Sequence, residues 1–354
     1  MNNPKVSVLI PMYNRKHYIA ECVDSVLNQT FQDFEIIIRD NCSTDGGYDF
    51  VVEKYAKEIA EGKLKIFVNE ENLGEFGNVD ALLKDATGKY LKVLHSDDLL
   101  LPHALQHLYD VAEKTNADVV HESFFFMSPK SGIINDISEC RPIILDTKTY
   151  NKIAILPDDS LSRFNEIVTN GTFFDIQYNF FNKKFMSDNN ITCGVGGYLF
   201  TFIMWMMSAK VIVKTPNICY IRRDAPDSLT NQSMEFTAKK IEEFICGRFE
   251  ILKKLDIYLN KMPFFKDNEF FKYMIKTKFL CGVDDFLITR PQFYKNGITP
   301  EIFQAVERAF KKYYGDLNYF YPMFMYHWAH CLPFNRRSDI INFAPQKMAS
   351  ERDS

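Results

Sequence analysis

The sequence predicts an α/β fold in which a mostly parallel sheet is flanked by helices and followed by a helical C-terminal extension. Two observations lead to this prediction. Over the first 130 residues, short apolar segments alternate with segments of helical periodicity, a pattern typical of strands joined by right-handed crossovers. From residue 236 onward, the apolar residues recur only at helical spacing.

Five segments are apolar and short enough to be buried strands of a parallel sheet. The predicted strands are Val6–Ile10, Glu35–Asp40, Leu64–Val68, Tyr90–Leu94 and Ala117–Phe125. In open α/β sheets, ligands bind beyond the carboxyl ends of the strands. The residues directly after each strand are therefore the first candidates for a functional site.

Segments of helical periodicity separate these strands. The predicted helices are 17–29, 51–59 and 81–86, and a fourth begins at Pro102. Gly88 is interpreted as the C-cap of the third helix. Tyr198–Met207 is the longest apolar segment, and its length fits a buried helix, because a membrane span needs about 18 or more apolar residues.

We divide the chain into three parts. Residues 1–235 form the predicted α/β domain, in two parts, 4–125 and 126–235. A helical region follows over 236–345, and 346–354 is a polar tail. The helical region is a candidate for a homodimer contact or for association with a membrane surface.

Composition excludes several classes of protein. Hydrophobic residues make up 46% and charged residues 25%, which is ordinary for a globular protein and excludes a disordered chain. A net charge of −4 leaves no overall basic field for nucleic acid. The eight cysteines form no C-x-x-C pair. Without a visible secretory signal, we expect reduced thiols and a cytoplasmic protein, with peripheral membrane association left open.

Polar segments follow four consecutive predicted strands. Tyr13 can stack on a base, and Asp40 can accept a hydrogen bond from a base N–H or a ribose hydroxyl. Asp97 and Asp98 offer the hard oxygen ligands that Mg²⁺ or Mn²⁺ prefers beside substrate phosphates. Asp40 is equally typical of an Asx-turn. The pair Asp97-Asp98 is equally typical of a helix N-terminus. Neither G-x-G-x-x-G nor a P-loop occurs.

Taken in order, these segments resemble family-2 glycosyltransferases, which have the Rossmann-like GT-A fold. The match covers residues 4–125. The resemblance implies that 1–235 is a catalytic glycosyltransferase domain, with a donor-binding part (4–125) and an acceptor part (126–235). The segments that match the family's motifs are Pro11-Met12-Tyr13-Asn14, Ser25 to Thr30, Asp40 to Asp45, Asn72-Leu73-Gly74, Ala86 to Tyr90 and His95-Ser96-Asp97-Asp98.

The resemblance implies transfer of a sugar, with inversion, from a nucleoside diphosphate donor such as a UDP-sugar to a glycan, lipid-linked or peptide acceptor. It implies bacterial-type glycan or glycoconjugate synthesis and dependence on Mn²⁺ or Mg²⁺. Asp97 and Asp98 are the expected metal ligands. Expected nucleotide contacts are Pro11, Tyr13, Asn14, Asp40, Asn72, Gly74, Asn78, Ser96 and Asp97, and expected diphosphate contacts are His95, Arg222 and Arg223.

Two departures from the family pattern bear on catalysis. His95, in the metal motif His95-Ser96-Asp97-Asp98, replaces an acidic residue of the family pattern. Gly196-Gly197 stand where relatives carry a Glu-Asp pair that includes the general base. Three explanations remain open. Another carboxylate serves as the base, with Asp188 our first candidate and Asp175 a second. Alternatively, the acceptor needs little base assistance, or the chain is a nucleotide-sugar-binding or scaffold protein without transferase activity.

Overall fold

The computed structural model describes residues 3–145, 152–169, 175–194, 196–224, 237–276 and 300–314. The chain divides into two compact units, residues 1–232 and 233–354. All strands of the described residues belong to the first unit. The predicted tail 346–354 lies outside the described residues.

The strands are β1 (Val6–Met12), β2 (Phe34–Asp40), β3 (Leu64–Val68), β4 (Tyr90–Val93), β5 (Leu99–Leu100), β6 (Val119–Glu122), β7 (Phe124–Met127), β8 (Arg141–Ile144), β9 (Ala154–Ile155), β10 (Asn179–Asn182), β11 (Ile212–Thr215) and β12 (Tyr220–Arg222). The helices are α1 (Ile19–Leu27), α2 (Gly47–Lys54), α3 (Ala56–Ala60), α4 (Gly74–Asp85), α5 (Ala104–Thr115), α6 (Ser160–Thr169), α7 (Lys183–Asp188), α8 (Gly197–Ser208), α9 (Ala238–Asn260), α10 (Pro263–Lys266) and α11 (Pro300–Tyr314).

Eight of the described strands form the main sheet in the order β3-β2-β1-β4-β10-β6-β11-β9. The first four run parallel to one another, as the sequence predicts. The apolar runs of β1 and β2 are buried throughout, because helices cover both faces of a parallel sheet. The fold class predicted from the sequence, a mostly parallel sheet flanked by helices, is confirmed.

Strand β10 lies between β4 and β6 and is antiparallel to both. Sequence reasoning missed this strand, whose four residues are Asn-Phe-Phe-Asn. Because β10 runs against β4, its N-terminal end lies at the edge of the sheet where β4 ends. The residues that precede β10 therefore reach the same edge as the ends of β1, β2 and β4.

The predicted fifth strand, 117–125, is two strands in the structure. Strand β6 pairs with β11 in the main sheet, whereas β7 belongs to a smaller sheet of order β5-β12-β7-β8. The chain passes from one sheet to the other at Ser123, whose N–H donates to the carbonyl of Thr215. The polar residues His121, Glu122 and Ser123 separate the apolar residues of the two strands and mark this break in the sequence.

Gly88 is not the helix C-cap that the sequence suggests, since α4 ends at Asp85 with Ala86 as its C-cap. A Cβ on Gly88 would lie 2.6 Å from the backbone nitrogen of Ser7, so glycine is needed for close approach to β1. The adjacent Thr87 donates to buried Glu35 of β2 through its backbone N–H, at 2.8 Å. The segment Ala86 to Tyr90 thus holds the start of β4 against β1 and β2.

Helix α8 is almost entirely buried, as its apolar sequence predicts. No helix within the described residues combines the length and the hydropathy needed to cross a bilayer. Six cysteines fall in the described part of the chain, and all six are free thiols. Cys281 and Cys331 lie outside it.

The second unit is helical in its described residues. Six apolar residues form the buried face of α9: Ile241, Ile245, Phe249, Leu252, Leu255 and Leu259. Phe249 stacks on Tyr313 of α11 at a centroid distance of 4.3 Å and meets Phe310 edge-on at 4.9 Å. This aromatic packing joins the two longest helices of the unit.

Candidate functional site

A cavity of about 890 Å³ opens at the carboxyl ends of β1, β2 and β4. It lies wholly within the first unit. Its lining residues are Pro11, Met12, Tyr13, Asn14, Arg15, Asn41, Asn72, Gly74, Glu75, Phe76, Asn78, His95, Ser96, Asp97, Asp98, Met127, Asp175, Gln177, Tyr198, Arg222, Arg223 and Asp224. Every predicted site residue except Asp40 and Asp188 is in this set.

Four asparagines link the strand ends below the cavity. The Asn41 side chain donates to Asn72 Oδ1 at 2.8 Å and accepts from Asn69 Nδ2 at 2.8 Å. Asn69 also donates to Asn78 Oδ1 at 2.9 Å. Because Asn41, Asn69 and Asn78 are buried, these amide bonds hold the loops after β2 and β3 in one arrangement.

The loop after β1 carries Tyr13, which is 45% exposed and projects its ring at the cavity. Asn14 adopts a left-handed backbone, with φ of 51°, and its Oδ1 accepts from the Thr44 N–H at 2.8 Å. Asn14 therefore joins the first loop to the turn after β2. Asn and Asp tolerate this backbone better than most residues.

Asp40 turns away from the cavity and caps the turn after β2. Its carboxylate accepts from the backbone N–H and the hydroxyl of Ser43. Burial raises the pKa of Asp40, while the hydrogen bonds from Ser43 lower it. This is the Asx-turn alternative that the sequence left open, and Asn41 rather than Asp40 faces the cavity.

The two aspartates of the metal motif have different partners. The side chain of Asp97 is 16% exposed and pairs with Arg15 Nε at 3.3 Å. Asp98 is buried, and its carboxylate accepts from the Tyr220 hydroxyl at 2.5 Å and from the Arg223 N–H at 2.7 Å. Burial, followed by the neighbouring Asp97, raises the pKa of Asp98 to about 7. Asp97 is thus the more accessible carboxylate of the pair.

Arg223 links the metal motif to helix α1. Its Nε donates to the Asp97 carbonyl at 2.8 Å, and its Nη2 pairs with Glu21 at 2.6 Å. The adjacent Arg222 lies on the cavity wall, where Tyr178, Asp98 and Asp175 raise its pKa against the opposing effect of burial. Of the two arginines, Arg222 faces the space that a diphosphate could occupy.

Glu75, Tyr198 and His95 meet on the opposite wall. The Tyr198 hydroxyl donates to Glu75 Oε1 at 2.8 Å and lies 3.4 Å from His95 Nε2. His95 thus contacts polar groups and does not merely pack at its strand end. Sequence reasoning missed Glu75, although its position directly after the Asn-x-Gly loop was a usable signal.

Asp188 does not reach the cavity. It ends α7 on the surface, where it pairs with Lys184 at 2.5 Å, and its side chain is 56% exposed. The structure therefore speaks against our first candidate for the base, because a base must contact the acceptor. Asp175, our second candidate, lines the cavity directly before β10.

Fold and cavity together define an α/β protein with a polar, carboxylate-rich ligand site at the strand ends. The family model described as "Glycosyl transferase family 2" matches residues 7–188, just over half of the 354-residue chain. The chain belongs to glycosyltransferase family 2, as its motifs indicate.

Curated relatives match less than half of this chain. A UDP-Glc:α-D-GlcNAc-diphosphoundecaprenol β-1,3-glucosyltransferase of Escherichia coli, WfgD, is 30% identical over 154 residues, which cover 43% of this chain and 56% of that protein. Glycosyltransferase GlyG of Streptococcus pneumoniae is 28% identical over 127 residues, covering 36% and 41%. The match thus spans little more than half of WfgD and less than half of GlyG.

Solved structures share the fold over a longer stretch. S. aureus TarS in complex with UDP-GlcNAc has a TM-score of 0.61 and 19% identity, covering 87% of this chain and 81% of that one. The mannosyltransferase PcManGT of Pyrobaculum calidifontis, in complex with GDP-Man and Mn²⁺, has a TM-score of 0.50 and 16% identity, covering 92% and 86%. These similarities show the GT-A fold.

Proposed function

We propose that this chain transfers a sugar from a UDP-sugar, with inversion, to a hydroxyl acceptor in glycan synthesis. The cavity is the observation that carries the proposal, because it combines an exposed ring, a carboxylate pair and Arg222 at the strand ends. The complex of TarS with UDP-GlcNAc and the UDP-Glc donor named for WfgD support the choice of nucleotide.

Within this proposal, Tyr13 stacks on the base while Asn41 and Asn72 border the nucleoside. Arg222 attracts the diphosphate and stabilises the negative charge that develops as the bond to the sugar breaks. Asp40 supports this arrangement from behind by fixing the turn after β2. His95 and Tyr198 bound the cavity on the side of Glu75.

Divalent metal dependence is part of the proposal, with Mn²⁺ or Mg²⁺ held by Asp97 and, as the sequence predicts, Asp98. No group of three or more His, Cys, Asp or Glu side chains in the described residues could hold an ion unaided. The residues nevertheless fit a metal that takes its remaining ligands from phosphates and water. Such an ion would supply Lewis acidity at the leaving group. The neighbour PcManGT was solved in complex with GDP-Man and Mn²⁺.

The test measures UDP release from UDP-glucose, UDP-N-acetylglucosamine and UDP-galactose with MnCl₂, and with excess EDTA. We expect turnover of at least one donor that EDTA abolishes. Asp97→Ala should lower turnover roughly 100-fold or more, because it removes charge stabilisation at the leaving group. Asp49→Asn, an exposed change on α2, is the matched control. Full activity of Asp97→Ala would contradict the metal assignment.

One observation favours a second candidate function, a nucleotide-sugar-binding protein without transferase activity. Gly196 and Gly197 leave the usual position of the base without a carboxylate. Calorimetric titration of UDP with MnCl₂ separates the two functions. Binding without turnover of any donor would favour the binding protein, whereas turnover would exclude it.

A further inference from the structure

Helix α8 begins where relatives carry the base, and neighbouring side chains occupy the space beside Gly194 and Gly197. Gly197 has a left-handed φ of 72°, and a Cβ placed on it would lie 2.9 Å from the Phe76 ring. A Cβ on Gly194 would lie 2.7 Å from Asp80 Oδ2, which accepts from the Gly194 N–H. Phe76 and Asp80 thus fill this corner, and Asp80 does not line the cavity, so the candidates for the base are the carboxylates that do.

Five carboxylates line the cavity in the described residues: Glu75, Asp97, Asp98, Asp175 and Asp224. Asp97 pairs with Arg15, and Asp98 is held in the core by Tyr220 and Arg223. Glu75 is exposed at the cavity wall and accepts from Tyr198. Asp175 is partly buried, as Asp97 and Asp224 are, and it lines the cavity beside Gln177, directly before the turn that leads into β10.

The fold fixes the position of Asp175. The residue directly precedes the short 3-10 turn Ile176–Tyr178, which leads into β10. Its carbonyl accepts from Nδ2 of the buried Asn179 at 3.1 Å. Since β10 is antiparallel to β4, this anchor holds Asp175 at the same edge of the sheet as the metal motif.

Groups from several elements face Asp175 and set its proton affinity. Burial raises its pKa, while Arg222 of β12 and His95 after β4 lower it. Glu75 of α4 raises it, and Gln177 donates to Oδ2 at 3.4 Å. Tyr178, on the same turn, also interacts electrostatically with Asp175. A carboxylate with a raised pKa that still lines a solvent-connected cavity is a suitable general base.

We propose that Asp175 is the general base of the transfer, replacing the carboxylate lost at Gly196-Gly197; this inference rests on the function proposed above. The acceptor oxygen forms its bond to C1 of the donor sugar as its proton passes to the Asp175 carboxylate. The bond between C1 and the diphosphate oxygen breaks with its electron pair on that oxygen. The products are the glycosylated acceptor, the nucleoside diphosphate and protonated Asp175.

The experiment uses water as the acceptor, because hydrolysis of the donor needs the same proton removal. The donor is whichever of the three UDP-sugars the full-length chain hydrolyses fastest. UDP release is measured with MnCl₂ from pH 5 to 9. Asp175→Asn should lower hydrolysis about 100-fold or more. UDP affinity, measured by calorimetry, should change less than about threefold, since the base does not hold the nucleotide.

The pH profile separates a base from a merely structural residue. In the unsubstituted chain, the rate should fall as acid protonates the base. Asp175→Asn should weaken this dependence, leaving the part that arises at the metal motif, where the pKa of Asp98 is about 7. Asp175→Glu, which keeps the carboxylate, should recover part of the rate. Glu75→Gln, Asp224→Asn and Asp188→Asn test the competing carboxylates, and Asp49→Asn is the control.

The proposal is overturned if Asp175→Asn retains hydrolysis, or if another of these variants loses both the rate and the acid limb. Loss of UDP binding in Asp175→Asn would also overturn it, because Asp175 would then support the donor site. An unsubstituted chain that neither binds UDP nor hydrolyses any donor would instead refute the proposed function, and this inference with it.

Discussion

At the scale of single residues, buried charges around the cavity depend on specific partners. Lys92 and Glu122 are both fully buried and form an ion pair between β4 and β6. Lys92 also donates to the Gln177 carbonyl at 2.7 Å, which ties the pair to the cavity floor. Removing one charge of such a pair leaves the other unpaired in a medium that solvates it poorly.

Replacing Glu122 with Ala should therefore destabilise the protein by about 3–5 kcal/mol, measured as the free energy of unfolding in urea. Asp188→Ala breaks the exposed Lys184–Asp188 pair, and we expect a change within about 0.5 kcal/mol. Equal losses in the two variants would show that burial of the Lys92–Glu122 pair is unimportant.

The sequence indicated which segments reach the cavity better than it indicated which side chain faces it. Ser43 hydrogen-bonds Asp40, and Tyr220 hydrogen-bonds Asp98. The adjacent residues Asn41 and Asp97 are therefore the better placed to contact a ligand in the cavity. Tyr220 lies more than 100 residues from Asp98 in the chain. No local sequence pattern predicts such a partner.

At the scale of elements, close backbone contacts hold the strands around the cavity in register. β4 can lie against β1 only because Gly88 has no side chain facing Ser7. The sequence predicted the four strands of the parallel half, since each is a short, mainly apolar segment. It missed β10, because four residues flanked by asparagines carry little strand signal until β4 and β6 are in place.

Gly88→Ala should destabilise the protein by about 1–3 kcal/mol, because the added methyl group must push β1 away. Gly247→Ala is the matched control in α9, where nothing lies within 4 Å of the added Cβ. It should stabilise the helix by about 0.5–1 kcal/mol. Urea unfolding of both variants checks the prediction, and a neutral Gly88→Ala would contradict the close-approach explanation.

At the scale of the whole molecule, every residue that lines the cavity belongs to the first of two compact units. A ligand that binds the folded first unit stabilises that unit by mass action. The effect reaches the second unit only to the extent that the two units unfold together.

We therefore expect UDP with MnCl₂ to raise the melting temperature of the first unit in scanning calorimetry of the full-length chain. At 100 times the dissociation constant, stabilisation of about 2.7 kcal/mol corresponds to an increase of about 5–10 °C. CDP, in which cytosine replaces uracil, is the control nucleotide. An equal increase with CDP would contradict selectivity for uridine.

The insertion of β10 between β4 and β6 has a consequence for how the protein acquires its structure during synthesis. The ribosome completes β6 well before residues 179–182 emerge. Until then, the edges of β4 and β6 that will pair with β10 have unpaired backbone groups. Pairings so distant in sequence form slowly and leave apolar edges open to aggregation. We expect nascent chains that end before residue 179 to depend on chaperones, and the cavity floor to be among the last parts to form.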